Sequence, residues 1–161
     1  MRRFVPAARL VLLTGTGLFA GFLLTVLVLE QSLRRFGGAV YTQVRQVELI
    51  GLDGLATATL VPAALAALLL TAADLRAGSG RSRLTAGALA ALLAIFVLTL
   101  VVNVPINTDQ LGWDPLSPPA DWAAVRDRWQ TAHVVRTVLG ALAFGLASLA
   151  GPSAKPPAAR L

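Results

Sequence analysis

Few residues of this 161-residue chain could do chemistry, and five of them share one stripe. At about 100° per helical residue, Trp122, Arg126, Trp129, His133 and Arg136 fall within an arc of roughly 80°. Gly140 continues the same arc. An imidazole among guanidinium groups and indoles suits a pocket for a small molecule. The plain alternative is an interfacial belt, in which Trp122, Arg126 and Trp129 anchor the helix at a membrane surface. A belt accounts less well for His133 and Arg136, one to two turns further in, where ionisable groups face a bundle interior or a wet cavity.

The rare residues bound the chemistry. His133 is the only histidine and there is no cysteine. Disulfides, iron–sulfur clusters, thiolate zinc sites, thiol nucleophiles and multi-histidine metal sites are therefore excluded. No GxGxxG, Walker A or HExxH pattern occurs, so the common nucleotide and zinc-peptidase signatures are missing. A second candidate group is Asn103-Val104-Pro105-Ile106-Asn107. Pro105 removes one backbone donor and frees a carbonyl. The two carboxamides either satisfy such groups or present donors and acceptors to a bound molecule.

The elements that must position these residues follow from charge. Only 14% of the chain is charged, against roughly 25% in soluble domains. No Asp, Glu, Lys or Arg occurs over residues 10–29, 54–73, 84–108 or 137–154. A membrane-spanning helix needs about 20 apolar residues. The expected fold is therefore all-α, a four-helix transmembrane bundle with spans near 8–30, 55–75, 84–104 and 131–150, and not a soluble enzyme. Ser117-Pro118-Pro119 and Asp121 supply start signals for the last helix. The first apolar run is longer than a signal peptide's and reads as an uncleaved span. The net charge of +6 flanks apolar runs and forms no patch on a soluble module, so nucleic acid is not an expected partner.

Orientation follows from the basic residues. The N-terminus, the 74–83 connection and the tail together carry eight basic residues and one acid, Asp74. The other two connections carry six arginines and seven acids. Both termini are then expected in the cytoplasm, and the protein in a bacterial plasma membrane. Residues 1–151 read as one domain and 152–161 as a disordered tail.

Between Gly38 and Leu52, Val40, Val44 and Val47 follow helical spacing, and Tyr41, Arg45 and Glu48 occupy the neighbouring arc. This predicts an outer amphipathic helix. It either lies on the membrane surface with a solvated Arg45–Glu48 pair, or lids a pocket and brings Tyr41 to the substrate. In the first span, Gly17 and Gly21 form a GxxxG pair suited to close helix packing.

The pattern N-x-P-x-N at 103–107, a spacer, then Arg126-Asp127-Arg128-Trp129 and His133-Val134-Val135-Arg136 resembles the DUF1772, or anthrone oxygenase-like, membrane proteins. The four-span layout and length resemble that family too. The resemblance implies a membrane-embedded oxygenase that converts anthrones to anthraquinones with dioxygen, without a metal or flavin cofactor. The implied roles are His133 as base, Arg126 and Arg136 on the phenolate or enolate oxygen, and Trp129 stacked on the planar substrate. Asn103 and Asn107 would bind a carbonyl or peroxide oxygen, with Trp122 and Tyr41 as further substrate contacts. Asn103, Asn107, Arg126, Trp129, His133 and Arg136 are expected to line one cavity. Two other classes stay open: a non-catalytic bundle or partner-binding module, and an electron carrier with His133 ligating haem.

Overall fold

A computed structural model describes residues 4–151, and among these every regular element is helical. The first helix, α1, runs Val5–Leu33 and α2 runs Gly38–Arg76. The third span consists of α3 (Ser82–Leu98), a π-helical turn (Thr99–Asn103) and α4 (Val104–Leu111). The last helix, α5, is Trp122–Leu149. Four helices are long and apolar enough to cross a membrane, and this is an integral membrane protein. The expected tail, residues 152–161, lies outside the described residues.

Both α1 and α3 pack against α2 and α5, so the bundle is a square with α2 and α5 on one diagonal. One half of its core is mostly aliphatic, built from Leu12, Leu60, Ala63, Leu92 and Ala143 with Phe19 among others. The other half collects Tyr41, Trp113 and Trp129 with Val26 and Ile106. Small residues set the helix approaches. A Cβ on Gly140 would lie 2.7 Å from the Leu23 side chain, and one on Gly15 would lie 3.0 Å from the Ala63 methyl. Of the expected pair, a Cβ on Gly17 would lie 3.1 Å from the Phe144 ring while one on Gly21 would meet nothing within 4 Å, so close packing of α1 runs through Gly15 and Gly17. At the aliphatic end, Arg9 pairs with Asp74 at 3.3 Å and donates to the Ala150 carbonyl, tying α1, α2 and the end of α5 together.

The outer helix is present but is the start of α2 itself: 39 residues run without a break from Gly38 to Arg76. This continuity reverses its faces. The valine side, with Val40 and Val47, is exposed, whereas Tyr41, Arg45 and Glu48 are buried. The expectation of a solvated Arg45–Glu48 pair is therefore corrected. A helix surrounded by an apolar medium turns its hydrocarbon outward and its charges into the bundle.

The second local departure comes from Pro105. It has no N–H to donate, and its ring crowds the carbonyl four residues back. The chain widens by one π turn just before it, with the Val104 N–H donating to the Thr99 carbonyl, and the helix continues to Leu111. Such turns recur at functional sites because they re-aim the side chains that follow.

Candidate functional site

Arg45 is the centre of the polar half of the bundle. Its guanidinium is almost fully buried and reaches three other helices. Nη1 pairs with Glu30 of α1 at 3.1 Å and with Glu48 at 2.5 Å. Nε donates to Gln110 Oε1 at 3.2 Å, and Nη2 to Asn107 Oδ1 at 3.1 Å. The same guanidinium carbon lies 4.0 Å from the centroid of the Trp129 ring, across the diagonal on α5. A buried cation survives only with such a set of partners. The network continues outward: Gln110 Nε2 donates to the Tyr41 hydroxyl at 3.0 Å, and Gln130 Nε2 to Glu30 Oε2 at 2.9 Å.

Trp129 and His133, one helical turn apart on α5, stack with ring centroids 4.8 Å apart and planes at 8°. The Trp129 indole N–H donates to Asn107 Oδ1 at 2.7 Å. His133 Nε2 donates to the Leu23 carbonyl at 2.9 Å. A carbonyl can only accept, so Nε2 carries the hydrogen and, in the neutral ring, Nδ1 keeps a lone pair. Nδ1 has no hydrogen-bond partner among the described residues, nor does Arg136 Nε. The Arg136 side chain is 7% exposed.

These groups open on one cavity of about 230 Å³. Its polar end is formed by Arg45, Glu48, Asn107, Trp129, His133 and Arg136; Phe22, Leu60 and Phe96 are part of its apolar wall. The exposed lining residues include Asp53, Thr57 and Val61 on α2 and Phe96, Leu100 and Val104 on the third span. The opening therefore lies between these helices, facing the surroundings of the bundle sideways. Among the described residues no cluster of three or more His, Cys, Asp or Glu could hold a metal ion.

Of the expected site residues, Asn107, Trp129, His133 and Arg136 come together on this cavity. The others do not. Arg126 lies under Trp122, 5.0 Å from its ring, and donates to Asp127 at 3.0 Å. Trp122 covers Tyr41 at a centroid distance of 5.7 Å, and the Tyr41 side chain is enclosed. Asn103 is fully buried on the π turn, and neither end of its carboxamide has a hydrogen-bond partner among the described residues. The reason is depth: a shared arc aligns side chains by angle, but Arg126 sits nearly two turns nearer the helix start than His133 and stays at the outer rim.

Glu30, Arg45 and Glu48 were not legible as site residues. The signal available was the Tyr41–Arg45–Glu48 arc, and a charged residue, Glu30, closing the first apolar run. A sequence model of the anthrone oxygenase family matches residues 53–146. No curated protein and no solved structure matches the chain. The matched segment carries Asn107, Trp129, His133 and Arg136; Glu30, Arg45 and Glu48 precede it.

Proposed function

The chain belongs to the anthrone oxygenase family, and on that footing we propose that it is a membrane-embedded oxygenase of an anthrone-like or other acidic aromatic molecule. Dioxygen is the co-substrate, and the proposed reaction uses no metal or flavin. The observation carrying this reading is that an unpartnered imidazole nitrogen and a buried guanidinium with an unpartnered Nε line one cavity beside an indole.

The ring-flanked CH₂ of an anthrone is acidic, and its anion reacts with dioxygen directly. His133 Nδ1 takes the proton, as a base within reach of the substrate must. The electron pair delocalises onto the ring carbonyl, and the oxygen that becomes negative is held by Arg136. Trp129 supports the planar rings. Asn107 Oδ1 is engaged by Arg45 and Trp129, which leaves its amide N–H₂ to donate to an oxygen of the substrate. Arg126 and Asn103 have no part in this scheme. In the net reaction CH₂ and O₂ become C=O and H₂O. A flat apolar substrate enters from the bilayer, through the gap beside Val61 and Phe96.

The topology belongs to the same reading: both termini in the cytoplasm, the polar half of the bundle toward the outside of a bacterial plasma membrane. Oxygen uptake by the purified protein with a panel of anthrones and hydroquinones tests the function. A second reading, a non-catalytic bundle, draws on the Arg45 network, which ties α1, α2, α4 and α5 together. It gains if no aromatic gives uptake and substitutions in the stripe merely unfold the protein.

A further inference from the structure

Glu48 of the cavity wall forms, with Glu30 behind it, a buried carboxyl pair that the proposed reaction leaves unused. Glu30 is 0% and Glu48 6% exposed, and both meet the same nitrogen, Nη1 of Arg45, at 3.1 and 2.5 Å. With both ionised, the three groups carry one negative charge more than positive, out of water. Two carboxylates forced together in such a place do not both ionise readily. Hydrogen bonding points the same way. Gln130 serves Glu30 Oε2 and Arg45 serves Glu48 Oε2; Glu30 Oε1 has only the 3.1 Å ion pair with Arg45 Nη1, and Glu48 Oε1 has no hydrogen-bond partner among the described residues. One proton held between the two acids makes the cluster neutral and engages those oxygens. The other charged and titratable groups around the pair are Tyr41 and, further along, Asp53 from α2, and His133 and Arg136 from α5; α4 contributes the neutral Asn107 and Gln110.

We infer that Glu30 and Glu48 share one proton and that this pair, opening on the cavity through Glu48, is the acid that completes oxygen–oxygen cleavage. This rests on the oxygenase reading. After His133 has taken the first C–H proton and dioxygen has added to carbon, the carboxyl pair gives its proton to the terminal peroxide oxygen. The second C–H bond then breaks, its electrons form C=O, and the O–O bond breaks to release hydroxide. The pair recovers its proton from that second C–H bond. Hydroxide takes the proton held on His133 and leaves as water, so both groups return to their starting states.

Two measurements on the full chain in detergent, with an anthrone as probe, test this. At neutral pH the wild type should show an infrared C=O stretch of a protonated carboxylic acid that disappears in Glu48→Gln. With substrate, Glu48→Gln should form roughly 10- to 100-fold less quinone per dioxygen consumed than the wild type, part of the 10²–10⁴ typical of a proton-transfer group. A reducible organic hydroperoxide should accumulate. If Glu48→Gln folds poorly, Glu48→Asp, which retains the acid, should keep the infrared band and couple uptake to quinone again. Absence of the band from the wild type, or a parallel fall of uptake and quinone in a folded Glu48→Gln, overturns the inference alone. No uptake by the wild type with any aromatic overturns the oxygenase reading beneath it, while the infrared result still decides the shared proton.

Discussion

The Arg45 guanidinium lies 4.0 Å from the Trp129 ring centroid, joining the two helices that face each other across the bundle diagonal. Both side chains also bind Asn107 Oδ1, at 3.1 and 2.7 Å. The cation is thereby fixed over an aromatic face, an arrangement worth more when desolvated, and the indole that supports His133 is held in place from the far side of the protein.

Removing that cation should be costly. Arg45→Met leaves Glu30 and Glu48 buried without their partner, and the loss of stability should be about 3–5 kcal/mol, read from unfolding in detergent. Adding Glu30→Gln and Glu48→Gln to the same chain should recover most of it.

Arg136 should behave in the opposite way. Its Nε has no hydrogen-bond partner among the described residues, and Asp53 is the acid that attracts it, so Arg136→Met should leave stability unchanged or raise it by about 1 kcal/mol, since a buried unsatisfied group is itself destabilising. Oxygen uptake should nonetheless fall. Arg136→Lys should be impaired too, because an ammonium lacks the planar guanidinium fork. A large stability loss in Arg136→Met would assign the residue a structural role.

His133→Ala should fold and lose about 10²–10⁴ in the rate of oxygen uptake. Full uptake by this variant with the true substrate would remove His133 from the role of base.

The orientation can be read directly, because the chain has no cysteine. In intact cells, Ser117→Cys should react with an impermeant thiol reagent while Ser79→Cys stays protected. The reverse labelling pattern would invert the topology.

The four spans and the stripe on α5 were determined by the sequence alone. Charge-free stretches have one physical reading at membrane length, and helical phase is a local property. Trp129, His133 and Arg136 therefore face inward as their spacing predicts. Which of those residues meet a common cavity was decided only by tertiary structure. Asn107 reaches Trp129 because the third span continues past Pro105 through a π turn, and Arg126 is left at the rim by its depth. The outer half of α2 shows the difference most plainly. Its two arcs were visible in the spacing, but their assignment depends on what surrounds the helix. Water outside would draw Arg45 and Glu48 outward; an apolar surrounding and the buried Glu30 and Gln110 draw them in. Gln110 lies 65 residues from Arg45 along the chain, and no local pattern records such a partner.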